Sequence, residues 1–410
     1  MNNNILIVSQ YFYPEHFIIN DFAIALAEQG ANISVLTSNP SYPAGSKYKK
    51  YKSYRFVIEN YQGVTVYRIP SFPRVKNSFL SLSLTYLSFV FNASIFGFFL
   101  FLFKKIDCIL VFAPSPITAA IPAIPLKFLK KATLFIWIQD LWPESVISSG
   151  YVKNNIFLRL LTGVVKLIYK QADLLLIQSK SFLPYVKKLT STKMVYFPNS
   201  IKRLIYKEHS LPKKLRLILN TNFCIVYAGN VGFAQDLKTL VTAAELLAEH
   251  KMIKILIVGG GSDSLRIKKM IIEKKLKNIH FFNRLPFSSM AELFFFAKGL
   301  YIGLKDEKHL NVTIPGKFQA YLAASRPIIV SSSGLISRIV KKNKLGFVCD
   351  SSDSEKLASI ILKLYNLNDT ERFKVGERAY DFFQANYDMN FFAKKLLSLF
   401  TQISQKSKKR

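Results

Sequence analysis

Short apolar runs rich in β-branched and aromatic residues alternate along the chain with longer stretches in which apolar residues recur every three or four positions. The short runs predict strands, the longer stretches predict helices, and their alternation is typical of parallel βα units. Strands are predicted over residues 5–8, 33–37, 64–69, 108–112, 134–138, 174–177 and 194–197, and then over 223–227, 254–258, 279–282, 300–303, 327–330 and 346–348.

The two series of strands are separated by a break in the pattern. Residues 198–200 interrupt it, and a basic, irregular stretch continues to residue 216, which makes this the best candidate for a linker. We therefore predict an α/β fold of two doubly wound, Rossmann-like domains that face each other across a cleft. The predicted domains are 1–200 and 201–389, followed by a terminal helix and basic tail over 390–410 that is disordered from 406.

Composition adds a strong basic charge and excludes several classes of protein. The 410 residues are half hydrophobic and only 20% charged, which excludes a disordered chain and a small disulfide scaffold. Lys and Arg outnumber Asp and Glu by 57 to 25, for a formal net charge of +32. Phosphate-bearing substrates, anionic lipid surfaces and nucleic acid all fit this charge, as does a lysine-rich genome. The three cysteines form no CxxC pair, which favours reduced core residues.

One segment bears on the membrane. Residues 77–103 contain no charge, and as a helix they would span about 40 Å, enough to cross a bilayer. Polar residues recur at intervals of three or four, at Ser81, Thr85, Ser88 and Asn92 among others, and a lipid-facing span has little use for such a stripe. We favour a helix buried in a domain or lying among lipid headgroups over a transmembrane helix. The N-terminus has no secretory signal pattern, so we expect a cytoplasmic protein.

The loop after the first predicted strand carries no GxGxxG motif, which argues against a dinucleotide site in this half. It offers Glu15, His16, Asn20 and Asp21 instead, polar groups suited to a hydroxyl-rich substrate. The alternative for Asn20 and Asp21 is that one of them caps the following helix.

A second group of polar residues follows the strand predicted at 134–138. Asp140 could interact with a reacting hydroxyl, Glu144 could orient it, and Trp142 could offer a platform to a sugar or lipid. The alternative is an ordinary helix start, with Pro143 in the first turn and Glu144 stabilising the N-terminus.

Two glycine loops follow consecutive strands of the second half. One contains Gly229, Asn230 and Gly232, and the other contains 259–261, which are all glycine. Helix N-termini behind glycine loops bind phosphate well, although glycines also make tight turns. Together the two loops favour a nucleotide-diphosphate site.

Lys317 follows Pro315 at a predicted helix start. The helix dipole opposes a cation in the first turn, so a lysine there makes most sense if an anion shares the site. Arg284 and Arg326 are the other candidate cations, and a solvated surface lysine is the alternative for Lys317. The sequence has no HExxH, P-loop or GxSxG motif and only five histidines, so no bound metal is implied.

Taken together and in order, these motifs resemble family 4 glycosyltransferases, with the O-antigen fucosaminyltransferase type as the nearest branch. The resemblance rests on 9–15, 38–45, 140–145, 227–232 and 315–327. It implies the GT-B fold, a nucleotide-sugar donor held mainly by the C-terminal domain, and transfer with retention without an essential metal. It also implies surface-polysaccharide synthesis, often on polyprenyl-diphosphate carriers at the inner face of the cytoplasmic membrane.

The chain departs from the family at several donor positions. Asn230 and Gln235 stand where many members carry an Arg and a Lys that grip the donor diphosphate. Ala320, with Gln319 beside it, stands where a Glu usually holds the donor ribose, and Asp140 or its neighbour replaces a histidine near the reacting centre.

The resulting hypothesis is a peripheral membrane glycosyltransferase that moves a sugar, such as the N-acetylated deoxyhexosamine FucNAc, from a nucleotide-diphosphate donor, with UDP favoured. The acceptor is a lipid-linked saccharide on an anionic membrane surface, and no nucleic acid or cofactor is involved. The five glycines, Asn230 and Gln319 shape the donor site. Lys317 and Arg284 neutralise the leaving diphosphate, and Asp140 positions a substrate. The alternative is a non-catalytic relative that binds a membrane or a partner enzyme.

Overall fold

The chain forms two compact α/β units, one of Met1–Ser200 with Met389–Arg410 and one of Ile201–Asp388. The computed structural model describes residues 3–42, 48, 50–75, 78–149, 155–206, 208, 210–311 and 314–408. The last helix thus belongs to the first unit, whereas the sequence pattern treated 390–410 as a separate terminal element.

The first unit is built on an eight-stranded sheet of order β3-β4-β2-β1-β5-β6-β7-β8, parallel except for β3. The middle strands are apolar at nearly every position because both faces of the sheet are covered. The strands are β1 Asn4–Val8, β2 Asn32–Ser38, β3 Val57–Tyr61, β4 Val64–Ile69, β5 Cys108–Ala113, β6 Thr133–Ile138, β7 Leu174–Ile177 and β8 Met194–Tyr196. The helices are α1 Ile18–Glu28, α2 Phe79–Phe101, α3 Ala123–Lys130, α4 Glu144–Ser149, α5 Asn155–Gln171 and α6 Leu183–Lys187.

The sequence pattern missed β3, the antiparallel edge strand. Its residues alternate between exposed and half-buried, and polar Glu59 and Asn60 interrupt the apolar run. A two-residue turn of Gln62 and Gly63, with φ of 50° and 85°, joins it to β4, and this turn type is the usual signal of a hairpin.

The long apolar segment forms α2, which begins after the Ser78 cap; residues 76 and 77 lie outside the described part of the chain. Its polar stripe contacts the protein, because Asn92 Nδ2 donates to Pro70 O at 2.9 Å and Ser88 Oγ accepts from the Phe72 N–H at 2.8 Å. A different stripe of α2 is apolar and exposed, with Leu80 at 70% and Phe91 at 67%. Over Leu80–Phe101 the helix is long and apolar enough to cross a membrane, a test that buried core helices also pass.

The second unit is built on a six-stranded parallel sheet of order β11-β10-β9-β12-β13-β14. All six predicted strands form, each within a few residues of its predicted ends. The strands are β9 Phe223–Asn230, β10 Ile253–Gly260, β11 Ile279–Phe282, β12 Gly299–Gly303, β13 Ile328–Ser331 and β14 Gly346–Cys349. The helices are α7 Lys213–Thr221, α8 Leu237–Leu246, α9 Ser264–Glu273, α10 Met290–Phe296, α11 Lys308–Asn311, α12 Gly316–Ala323, α13 Leu335–Lys342, α14 Ser354–Asn366 and α15 Asp369–Tyr387.

The terminal helix α16, Met389–Lys408, completes the core of the first unit. Phe392, Leu396 and Phe400 are buried against that core, and the Phe400 ring stacks on Phe135 with 4.4 Å between centroids. The helix continues to Lys408, so the prediction of a disordered tail from 406 was wrong for 406–408. Residues 409 and 410 lie outside the described chain.

Candidate functional site

The carboxyl ends of the parallel strands in the first unit surround a cavity of about 610 Å³. Its wall takes residues from the loops that follow five strands, together with parts of α2 and α5. A pocket at this edge is where doubly wound sheets bind their ligands. The loop residues used below are Tyr11 after β1, Tyr42 after β2, Arg74 after β4, Ser115 after β5, and Asp140 and Trp142 after β6.

Asp140 and Trp142 lie in this one wall. Burial raises the pKa of Asp140 to about 6, and the described residues give its carboxylate no ion pair or hydrogen bond. The Trp142 indole nitrogen is buried without an acceptor among the same residues. A lone carboxyl group and an unused N–H donor in an apolar cavity are suited to holding polar atoms of a substrate.

Glu144 does not join Asp140 in that cavity wall. Glu144 begins α4. Burial of the Tyr169 phenol is the main cause that raises its pKa, and the nearby Glu144 carboxylate raises it further. Tyr169 belongs to the hydrophobic core on one face of the sheet. The predicted pairing of the two carboxylates is therefore wrong, and the position of Glu144 fits the alternative of a helix start.

The Glu15 carboxylate is hydrogen-bonded to backbone amides of the protein. Its carboxylate accepts the backbone N–H groups of Ser41 at 2.8 Å, Tyr42 at 2.6 Å and Phe12 at 3.3 Å. It is 1% exposed, and burial raises its pKa to about 7. The prediction that Glu15 contacts substrate is corrected: this carboxylate joins the loops that follow β1 and β2.

The other three polar residues of the first loop do not line the cavity. Asn20 Nδ2 donates to Glu15 O at 2.6 Å, so its amide also holds the loop. Asn20 and Asp21 lie in the first turn of α1, whose cap is Phe17 without a side-chain hydrogen bond. The capping alternative was therefore wrong, and His16 and Asp21 are exposed.

The sequence pattern missed a polar cluster in the cavity wall. The Arg74 guanidinium lies over the Tyr42 ring, 5.1 Å from its centroid. Burial and the neighbouring Tyr86 raise the pKa of the Tyr11 phenol, and the Arg74 charge opposes that shift. The sequence did contain one signal for Arg74, which is its position after the carboxyl end of β4, where ligand-binding loops lie.

In the second unit the two glycine loops pack backbone against backbone. Gly229 and Gly259 are paired across β9 and β10, with φ of 144° and 158°. A Cβ on Gly259 would lie 1.9 Å from Gly229 O, and one on Gly261 would lie 2.3 Å from Val231 O. Any side chain at Gly259 or Gly261 would prevent this close approach.

Two amides of these loops already have partners. The Gly232 N–H donates to Gln235 Oε1 at 3.0 Å and the Gly261 N–H donates to Ser264 Oγ at 2.8 Å. An anion bound by either amide has to displace a side chain. The helix expected near residue 236 is α8, and Asp236 precedes it in the left-handed conformation with φ of 43°.

Lys317 lies in the first turn of α12 as predicted, but it is no surface lysine. Its Nζ is buried, 3.8 Å from the centroid of the Tyr227 ring, and has no hydrogen-bond acceptor within the described chain. A Cβ on Gly229 would lie 3.2 Å from that nitrogen. Burial lowers the pKa of Lys317 to about 7. The amine thus lies beside the first glycine loop without a counter-ion.

Arg284 follows β11 and connects the two glycine loops. Its guanidinium donates to Gly260 O at 3.0 Å and reaches Asn230 Oδ1 at 3.5 Å. Gln319 is buried in α12, two residues from Lys317, and residues two apart do not face each other on a helix. Arg326 donates to the carbonyl oxygens of α10, including Phe294 O, so its role there is structural.

No group of three or more His, Cys, Asp or Glu residues in the described ranges could hold a metal ion. Lys317 and Arg284 bring two positive charges to this edge of the second unit. A basic, glycine-lined edge of this kind suits an anion such as a diphosphate.

Comparison with known proteins agrees with this chemistry. Residues 213–382 match the family described as glycosyl transferases group 1. The chain is 24% identical over 256 residues to the probable glycosyltransferase WbjE of Pseudomonas aeruginosa, covering 58% of this chain and 62% of that protein. It is also 24% identical over 335 residues to the putative colanic acid biosynthesis glycosyl transferase WcaI of Escherichia coli K12, covering 79% of each.

A solved structure confirms the fold. Alr3699/HepE of Anabaena, determined in complex with UDP, superposes with a TM-score of 0.64 at 13% identity, covering 97% of this chain and 100% of that one. The matched residues 213–382 lie within the second unit, and the chain has the GT-B fold of glycosyltransferases, as the sequence predicted.

Proposed function

We propose that this glycosyltransferase chain moves a sugar from a nucleotide-diphosphate donor, with UDP as the first nucleotide to test, to a lipid-linked saccharide of a bacterial surface polysaccharide. The observation that carries the proposal is the buried amine of Lys317, which lies beside the first glycine loop and has no hydrogen-bond partner among the residues that the structure describes. The names of the two relatives support the pathway class. The UDP held by the Anabaena structure supports the nucleotide.

The physical case for a diphosphate is the cost of leaving Lys317 alone. Burial in an apolar site disfavours the charged amine, and a bound anion reverses that effect. The missing side chain at Gly229 lets the amine lie against this loop, since an added Cβ would lie only 3.2 Å from it. Arg284 supplies a second positive charge at the same pair of loops. These two cations neutralise the leaving diphosphate, so we expect transfer without a metal.

The proposed reaction breaks the bond between the anomeric carbon and the diphosphate oxygen and forms one to the acceptor oxygen. The acceptor hydroxyl proton passes to the departing diphosphate, on the same face of the sugar, so the anomeric configuration is retained. Asp140 orients the acceptor hydroxyl. A FucNAc-type sugar is the first donor to screen, and NMR of the product's anomeric proton tests retention; an inverted product contradicts it.

We also propose that the first unit binds the inner face of the cytoplasmic membrane peripherally. The exposed apolar stripe of α2 continues from Leu80 through Phe91 to Phe99, which is 69% exposed. Exposed lysines near its end and along α5, Lys105, Lys166 and Lys170 among them, suit an anionic surface.

Vesicle sedimentation tests this binding. The intact protein should pellet with anionic vesicles and be released by high salt or carbonate. A Phe91→Ser, Phe99→Ser variant should bind at least about tenfold more weakly, since each buried Phe contributes about 1.5 to 3 kcal/mol. A control variant, Phe373→Ser, removes a similarly exposed phenylalanine from the second unit. Equal loss in the control, or resistance of the intact protein to both washes, contradicts peripheral binding through α2.

Calorimetric titration with UDP, in EDTA and then with magnesium, tests the donor site. We expect micromolar, metal-independent binding that Lys317→Ala weakens at least tenfold and that Lys341→Ala, an exposed control on α13, leaves unchanged. If neither UDP nor GDP binds, the proposed function fails. Binding without transfer to any acceptor identifies the non-catalytic relative, for which Ala320 and Asn230 at donor positions are the motivating residues.

A further inference from the structure

The cavity of the first unit has two apolar helical walls. Leu82 and Leu87 come from α2, and Phe157 and Leu161 come from α5. Both helices also carry apolar side chains outward: Leu87 is 67% exposed, and on α5 Leu160 is 67% exposed. Both helices thus carry apolar side chains on the outer surface as well as in the cavity wall, which suits a ligand with an apolar chain.

The loops opposite these helices provide a polar end. The Arg74 guanidinium lies over the Tyr42 ring and interacts with the Tyr11 phenol, and Tyr86 lines the same cavity. A guanidinium flanked by phenol donors is suited to a phosphate, which accepts several charge-assisted hydrogen bonds at once. The Trp142 N–H in the same wall has no acceptor among the described residues and is a further donor for a ligand oxygen.

We propose that this cavity binds the lipid end of the acceptor, with one apolar chain between α2 and α5 and its phosphate at Arg74. The assignment rests on the proposed function, because it deepens the identity of the acceptor. Size favours one chain, because a cavity of about 610 Å³ lies in the range of sites that hold one drug-sized ligand. Charge favours a phosphate over a fatty acid with a carboxylate, since the fork of Arg74 and two phenols matches an anion with several acceptor oxygens.

The consequence is selection by the lipid. The enzyme should distinguish a saccharide on a single-chain lipid phosphate from the same saccharide free in solution, even though both offer the same hydroxyl. The apolar chain contributes affinity by burial, and the phosphate fixes how far the chain enters.

Calorimetry on the full chain with farnesyl phosphate tests the site, with farnesol and inorganic phosphate as the chain-only and phosphate-only probes. We expect farnesyl phosphate to bind at least about tenfold more tightly than either probe. Arg74→Gln should remove most of the advantage over farnesol, while Arg159→Gln, an exposed arginine on α5, should change nothing. Ser83→Trp, which fills the cavity from α2, should abolish binding of both chain probes.

UDP titration of the same variants separates this proposal from the proposed function. UDP affinity should be unchanged in Arg74→Gln and Ser83→Trp, which also shows that both variants fold. If UDP binds normally but farnesyl phosphate does not bind, or binds equally well to Ser83→Trp, the cavity assignment is overturned and the proposed function stands. If neither UDP nor GDP binds, the proposed function fails on its own test.

Discussion

Asp140 and Lys317 make an instructive pair, one in each unit. Each follows or faces the carboxyl end of a parallel strand, each lacks an ion-pair partner among the described residues, and burial alone moves each toward its neutral form. Their surroundings differ. Lys317 lies against glycine backbone and the Tyr227 ring, whereas Asp140 shares a large cavity with aromatic and aliphatic side chains.

The difference indicates two kinds of ligand. A cation among glycines leaves room for a compact anion that contacts backbone, and little else. A carboxyl group in a wide apolar cavity suits a larger ligand with one hydroxyl to orient. In the proposed function, the same edge of the same type of sheet binds a diphosphate in one unit and an amphiphile in the other.

The largest expected effect comes from Lys317→Met. We expect transfer to fall about 100-fold, the usual cost of removing a group that stabilises developing negative charge. Stability should rise, because a buried amine without a counter-ion is replaced by an apolar side chain of similar length. Turnover assays and thermal melts check the two parts, and a variant that loses stability together with activity would show that Lys317 is structural.

The stability gained by Lys317→Met should depend on pH in a definite direction. The folded chain releases the Lys317 proton near pH 7, whereas the unfolded chain keeps it until about pH 10. The unfolded state therefore binds more protons across this window, and the free energy of unfolding contributed by Lys317 rises with pH. The advantage of Lys317→Met should be greatest below pH 7 and should shrink by pH 9.

Asp140→Asn should have the next largest effect, about tenfold on transfer, because a general base or hydroxyl-orienting group typically contributes 10²-fold or more and an amide retains part of the orientation. Intact enzyme should lose activity as the pH falls through about 6, while the variant should show a flatter profile. Burial raises the folded-state pKa, so the intact chain should lose stability relative to the variant as the pH rises through the same value. Identical pH profiles would remove Asp140 from the reaction.

Proton uptake on UDP binding distinguishes Lys317 from a passive neighbour. At pH 8 the free amine is mostly neutral, and a bound diphosphate should recharge it, taking up about one proton per nucleotide. Titrations in two buffers of different ionisation enthalpy measure this number, and Lys317→Met should abolish it. Uptake that persists in Lys317→Met would have to come from another group.

The smallest expected effect concerns Glu15, now assigned to loop structure. Glu15→Ala leaves the backbone N–H groups of Ser41 and Tyr42 without their carboxylate, at about 1 to 3 kcal/mol. The melting temperature should fall by several degrees with UDP affinity unchanged. Glu377→Ala, at an exposed acid on α15, is the control and should not alter the melt; a change in acceptor KM without a stability loss would restore Glu15 as a ligand.

Much of the fold follows from local pattern. All thirteen predicted strands form within a few residues of their predicted ends, because buried parallel strands such as β5 are short and apolar throughout. The edge strand β3 was not predicted because its residues are only partly covered, and polar Glu59 and Asn60 interrupt its apolar pattern. The helix expected at Lys317 and the polar stripe of α2 were also readable, since both depend on residues close together in sequence.

The sequence predicted only part of the candidate sites. Strand ends mark where loops gather, so the sequence could indicate Asp140, Trp142 and the glycines. It could not show that Glu15 is held by the amides of Ser41 and Tyr42, since those residues are far from it along the chain.

The sequence by itself determined the α/β class, the break after residue 200, the basic charge and the loops in which chemistry lies, because these depend on composition and on short-range periodicity. Only the tertiary structure decided that α16 completes the first unit, that Glu144 does not line the cavity with Asp140, that Arg74 does, and that Lys317 is buried without a partner among the described residues. The physical reason is that burial and pairing are set by contacts between distant residues, and those contacts change the charge state of a side chain that looks ordinary in sequence.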